Sequence, residues 1–259
     1  MKRLLVRCDD FGSAPGANKA ILQLAESGLT LNVSVMVCGP EGNKDLKALA
    51  QFAPRVALGI HAAVNAEWDT IKWGPVGDKA RARAGGLVDA QGHFLPHPKQ
   101  LSAIAPEVTL DEVRAQIRLG LDWGIPFSYL DEHMFFGWAQ NLREPLAALA
   151  KEFGLIYRPA LASVRREKTD AGLVASWRGG LKSIDSQPQV LITHPALDDA
   201  STRLFLDSQN PPGIASRERQ AEFEALGSSL WRETLHDENV KPITYPELAD
   251  EEGIAPTVR

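Results

Sequence analysis

The stretch Leu4-Leu5-Val6-Arg7-Cys8-Asp9-Asp10-Phe11-Gly12 decides how this chain is read. A mostly apolar run of five residues is too short for a helix and suits a strand buried on both faces, and the acidic pair follows where such a strand would stop. The same order recurs along the chain. Residues 56–60 are followed by His61, residues 127–130 by Asp131-Glu132-His133, and residues 190–193 by His194. Further short apolar runs lie at 33–37, 155–157 and 242–245, with one more candidate strand at 181–184. Helical patterns fill the intervals: 15–27 ending at Gly28, 44–52 before Pro54, a segment opened by Thr109 and Asp111 and running to Trp123, then 139–153 and 216–232. Strand-then-helix repetition over this length predicts an α/β fold with parallel strands: a distorted (β/α) TIM-like barrel, or else a doubly wound sheet. Two stretches, 65–106 and 196–213, interrupt the rhythm as long loop insertions, and loops of that length in a compact domain are usually functional or disordered. Nothing resembles a linker, so residues 1–259 are read as one catalytic domain.

Composition narrows the classes further. With 28 Lys plus Arg against 33 Asp plus Glu, the formal charge of −5 disfavours a nucleic-acid binder, which needs clustered cations. No apolar run approaches the roughly 20 residues of a membrane-spanning helix. The start of the chain turns acidic too early for a secretory signal, so a cytoplasmic protein is expected. Cys8 and Cys38 each end an apolar run and read as buried, reduced thiols rather than as metal ligands.

In a parallel barrel every strand C-terminus opens onto one face, so Asp9, Asp10, His61, Asp131, His133 and His194 would converge there despite their separation in sequence. One Asp and two His form a sensible divalent-cation set, leaving positions for water and substrate. Taken singly, a His after a strand is more often a hydrogen-bonded rim residue, and an Asp pair more often a helix-entry turn. The functional reading rests on the coincidence of four strand ends.

These residues resemble the YdjC-like (ChbG/HpnK) carbohydrate deacetylases. The matching pieces are Asp9-Asp10-Phe11-Gly12 with Pro15-Gly16-Ala17-Asn18, Ser34-Val35-Met36-Val37 with Gly39-Pro40, and Leu58-Gly59-Ile60-His61. Ser128-Tyr129-Leu130-Asp131-Glu132-His133, Arg158-Pro159, His194-Pro195 and Arg219-Gln220-Ala221-Glu222 follow in order over nearly the whole chain. The resemblance implies a metal-dependent hydrolase that removes the acetyl group from an N-acetylated sugar or oligosaccharide. By motif matching it implies Asp10, His61 and His133 as ligands of one divalent ion, Asp9 as general base and His194 as general acid. Zinc suits this donor set best, with magnesium, manganese, cobalt, nickel and iron also compatible. Two departures stand out: Tyr129 and Phe135 occupy places where the family carries further histidines, and Ala196 follows His194-Pro195 where the family commonly has Gly.

The chemistry adds supporting roles. Arg158 is a candidate to bind substrate and to orient Asp9, and Asp131, two residues before His133, is a candidate to hold a ligand histidine. Trp68, Phe135 and Trp138, with Trp73, read as a sugar-stacking wall or alternatively as core and dimer contacts. His93, His97 and His236 read as surface residues. A closed homodimer is the default assembly. The competing readings are another metal-dependent barrel hydrolase, and a carbohydrate-binding or regulatory barrel without turnover.

Overall fold

The computed structural model describes residues 1–253. Its centre is an eight-stranded parallel sheet made of β1 (Lys2–Phe11), β2 (Leu31–Val35), β3 (Val56–Ala62), β4 (Phe127–Glu132), β5 (Ile156–Tyr157), β6 (Ala162–Ser163), β7 (Gln189–Thr193) and β8 (Val240–Pro242). The strand order is β5-β4-β3-β2-β1-β7-β6, and β8 pairs with the first residues of β1. The sheet curls into a half-barrel, with both outer ends formed by two-residue strands. Among the described residues nine α-helices flank it: α1 (Pro15–Glu26), α2 (Leu46–Ala50), α3 (Lys79–Ala84), α4 (Pro106–Asp122), α5 (Arg143–Glu152), α6 (Leu173–Lys182), α7 (Ile214–Gly227), α8 (Ser229–Asp237) and α9 (Tyr245–Glu251). This is the distorted (β/α) barrel that the alternation of short apolar runs and helical patterns predicts. Every residue of β3, and of β1 from Leu4 onward, is buried, which is why their apolar character is continuous rather than alternating.

The structure corrects the sequence reading at several boundaries. Residues 181–184 are not a strand: Leu181 and Lys182 end α6, and the eighth strand is the short β6 instead. The segment 216–232 is split by Ser228, whose extended backbone ends α7 and whose hydroxyl accepts from the N–H of Trp231 to open α8. Residues 139–142 are not the start of α5, because they belong to a tight helical turn that ends with Asn141 in the left-handed region. The last strand stops at Pro242, and Tyr245 begins α9 behind a Thr244–Glu247 capping box. Cys8 and Cys38 are free thiols, and burial pushes Cys8 up to about 12, so it is inert near neutrality.

One packing detail fixes the sheet beneath the polar rim. Gly59 in β3 lies under the fully buried ring of Tyr129, where an added Cβ would stand 2.2 Å from a ring carbon. Tyr129 cannot retreat easily: its hydroxyl lies 3.0 Å from Ser34 Oγ, and its ring is 4.3 Å from that of Tyr245. Gly59→Ala should therefore lose about 1–3 kcal/mol, the usual cost of overpacking a filled core. A thermal midpoint equal to that of the parent would show that the ring moves freely.

Candidate metal and catalytic centre

The acidic pair is not outside β1 but within it. Pairing with β2 shifts register between Cys8 and Phe11, and Asp10 sits there with φ of 66°. Consecutive strand residues ordinarily point to opposite faces, and this irregularity breaks the alternation. Asp9 and Asp10 therefore line one cavity of about 350 Å³, together with His61, His133 and His194. His61 arrives from β3, and His133 follows β4 at a sharp turn whose next two residues, Met134 and Phe135, both have positive φ.

Three donor atoms form a triangle in this cavity. Asp10 Oδ1 is 3.5 Å from His61 Nε2 and 3.3 Å from His133 Nδ1, and the two nitrogens are 3.3 Å apart. Tetrahedral coordination with bonds of roughly 2.0–2.1 Å has edges of about 3.3–3.4 Å, so the spacing fits one small divalent ion. Asp10 Oδ1 is also buried without a hydrogen-bond partner. Such an atom is costly unless something electropositive meets it. The donor chemistry and the orphaned oxygen together fit a cation. The overlapping group Asp9, His61 and Asp131 fits less well, because both Asp9 oxygens are already held by a guanidinium.

Each ligand candidate is held from behind. Asp10 Oδ2 accepts from Arg219 Nη2 at 2.8 Å, and the Arg219 guanidinium lies 4.8 Å from the Phe205 ring centre. His61 Nδ1 is 2.8 Å from Asp131 Oδ1, while Asp131 Oδ2 accepts from Ser34 at 2.8 Å and meets Arg7 at 3.0 Å. His133 Nε2 is 2.8 Å from Glu67 Oε2. Burial alone would depress both imidazoles, but Asp131 raises His61 to about 10 and Glu67 raises His133 to about 9. Proton and cation would compete for the same nitrogens, so a metal ion taken up here would displace protons. Burial opposes the charge on Asp10, yet Arg219 and the two imidazoles hold it well below the usual carboxylate value.

The partner of Asp9 is Arg7, not Arg158. Arg7 Nε and Nη2 each donate to one Asp9 oxygen at 2.7 Å, and against the opposing effect of burial this keeps Asp9 below its ordinary value. Arg158 is instead engaged by Glu252, once at 3.1 Å, because it leaves the short β5 on the α9 side. His194 lines the same cavity as Asp9, and burial lowers its pKa although Asp10 pulls upward.

The aromatic residues separate. Trp68 lines the cavity and stacks on Phe205 at 5.2 Å. Phe135, half exposed, stands between this cavity and a neighbouring one of about 550 Å³ that Trp138 lines. Trp73 is buried, its ring roughly perpendicular to that of His133 with the two centres 5.7 Å apart. Tyr129 belongs to the core below the site. Outside the site, His93 faces Asp89, and the His236 side chain is 92% exposed.

Sequence reasoning missed Arg7 and Glu67 as site residues, and it placed Arg219 only in a motif. A lone Arg inside an otherwise apolar strand was the available signal for Arg7, since a buried cation must find anions. Glu67 had no such signal in its loop.

Comparisons with known proteins agree with the fold and give the family. A carbohydrate deacetylase of Brevibacillus brevis is 22% identical over 95% of this chain and 99% of its own, and one of Clostridium beijerinckii is 25% identical over 95% and 100%. The crystal structure of an Enterococcus faecalis V583 protein, named for cellobiose-phosphate cleavage, superposes with a TM-score of 0.77 at 20% identity, covering 95% of this chain and 98% of that one. The family model described as YdjC-like protein matches residues 3–237, and the chain belongs to that family.

Proposed function

We propose that this protein is a metal-dependent deacetylase that hydrolyses the acetamide of an N-acetylated sugar or oligosaccharide. The observation that carries the reading is the Asp10, His61 and His133 triangle with its orphaned oxygen, sharing one cavity with a carboxylate and an imidazole that can move protons. The names of the 22–25% identical relatives support the same substrate class. Asp10 Oδ1, His61 Nε2 and His133 Nδ1 would hold the ion, with zinc first by donor type. When bound, a divalent ion polarises an amide carbonyl and makes water a competent nucleophile near neutral pH.

The chain's own groups supply the rest. Asp9, kept ionised by Arg7, accepts a proton from the attacking water. Arg7 also keeps the Asp9 carboxylate from rotating, because it grips both oxygens. His194 donates a proton to the departing amine nitrogen, without which the C–N bond does not break in the forward direction. Arg219 orients Asp10 and offsets its charge. Trp68 and Phe135 offer faces for the sugar, and Trp138 one for a further residue in the neighbouring cavity. The same proposal takes the chain as one catalytic domain, since the family match spans most of it. Its two free cysteines suit a cytoplasmic location, and a twofold dimer is the commonest assembly for such a protein. Among the described residues no helix is long and apolar enough to cross a membrane.

The test is acetate release from chitobiose, N-acetylglucosamine and other acetamido sugars by zinc-loaded protein. Asp9→Asn should retain metal and lose roughly 10²- to 10⁴-fold in rate. Bound metal without acetate release from any acetamido sugar would favour a binding protein or a different hydrolase.

A further inference from the structure

We propose that Glu67 is a positioning residue of the metal centre: its carboxylate fixes the His133 ring so that Nδ1 faces Asp10, and so sets metal affinity. The inference rests on the metal-centre reading above. It starts from the 2.8 Å contact between His133 Nε2 and Glu67 Oε2, whose side chains are 4% and 14% exposed. An ionised carboxylate only accepts hydrogen bonds, so Nε2 keeps its proton, and Nδ1 is the nitrogen that gives up its proton and offers a lone pair when a cation binds. That lone-pair nitrogen is the one 3.3 Å from both Asp10 Oδ1 and His61 Nε2.

The neighbouring imidazole is held in the opposite sense. Asp131 takes His61 Nδ1 at 2.8 Å, which leaves Nε2 as the nitrogen facing Asp10. The two rings thus present different nitrogens, each selected by a separate carboxylate. Their approach explains the difference. His61 lies within β3, so its Nδ1 side faces the adjacent β4, where Asp131 stands opposite in register. His133 lies past the end of β4, and its far nitrogen is met by Glu67 from the insertion that follows β3.

That insertion is built to deliver Glu67. Trp73 Nε1 donates to the Asn65 carbonyl at 2.7 Å, and Lys72 Nζ donates to the Ala66 carbonyl at 2.9 Å, so the backbone just before Glu67 is tied on both of its preceding residues. The Trp73 ring also stands against the His133 ring, with centres 5.7 Å apart. The insertion therefore completes the centre instead of merely covering it. Among the described residues the Glu67 carboxylate makes no other hydrogen bond, whereas Asp131 also holds Ser34 and Arg7. Its removal should disturb His133 alone.

The experiment uses the full chain, its Glu67→Ala and Glu67→Gln variants, and two readouts besides turnover. Zinc and cadmium affinity is measured by competition with a chromophoric chelator, and ¹¹³Cd–¹⁵N couplings are recorded on protein labelled at the imidazole nitrogens. In the parent, cadmium should couple to Nδ1 of His133 and Nε2 of His61. Glu67→Ala should bind metal roughly 10- to 100-fold more weakly, the usual effect of removing a group that orients a ligand, and should lose the Nδ1 coupling. Glu67→Gln, whose amide oxygen still accepts from Nε2, should keep that coupling and recover much of the affinity. If Glu67→Ala does not fold, the coupling pattern of the parent and the Gln variant decides. Parent-like affinity with an intact Nδ1 coupling in Glu67→Ala, or two Nε2 couplings in the parent, would overturn the inference and leave the deacetylase reading standing. A parent chain that binds neither metal would overturn the metal-centre reading itself.

Discussion

Replacing Arg7 by Met lowers the free energy of unfolding by about 3–5 kcal/mol, the cost of removing one partner from a buried ion pair. Arg7 is 5% exposed and is the cation between two carboxylates, holding Asp9 through two bonds of 2.7 Å and Asp131 at 3.0 Å. Met fills a similar volume without charge, so the loss reports unpaired anions rather than a cavity. The sign with pH is definite. In the parent, Asp9 has a depressed pKa, so its stabilisation is present above the unfolded value of about 3.9 and fades as pH falls through the folded value. In the variant, burial acts on Asp9 without Arg7 to oppose it, so the pKa shifts upward and stability falls as pH rises above about 4. The gap between the two proteins should therefore widen from acid to neutral pH. Urea denaturation of the metal-free proteins at several pH values reads it directly. A constant gap, or one under about 1 kcal/mol at pH 7, would mean that the charge network is not what Arg7 contributes.

His194→Ala should cut acetate release by roughly 10²- to 10⁴-fold while leaving fold and metal affinity unchanged. Glu222 holds His194 by its backbone N–H at 2.5 Å, a contact that survives truncation of the ring. The ring does not belong to the donor triangle, so a loss of rate without loss of metal isolates proton donation. Because burial lowers the His194 pKa, the protonated form needed to expel the amine is lost as pH rises through a value below the ordinary imidazole pKa of about 6.5. The alkaline limb of the rate profile should lie there in the parent and vanish in the variant. A variant that deacetylates at the parental rate would remove His194 from the mechanism.

Much of this architecture was legible in the order of residues. Runs such as 56–60 and 190–193 are continuous because strands covered on both faces cannot alternate, and the polar residue closing each run lies at the strand mouth because a parallel sheet has one such end. Asp9, Asp10, His61, His133 and His194 could thus be placed in one cavity from sequence order and the resemblance. Residues 181–184 misled because Leu181-Lys182-Ser183-Ile184, at the end of an amphipathic helix, is too short to show a period that separates it from a strand. Arg158 misled for a different reason: a motif gives the chain position of an arginine, not the direction its long side chain takes.

What sequence alone determined, then, is the kind of protein: a parallel α/β chain of the YdjC-like family with acidic and imidazole groups at its strand ends. Tertiary structure decided which atom of each group faces which. The bulge at Asp10 turns two adjacent carboxylates toward one cavity, Arg7 rather than Arg158 holds Asp9, and carboxylates 70 and 66 positions from their histidines select Nε2 of His61 and Nδ1 of His133. The two histidine choices depend on 2.8 Å contacts between residues far apart in the chain. Local propensity acts over three or four neighbours and carries no information about them.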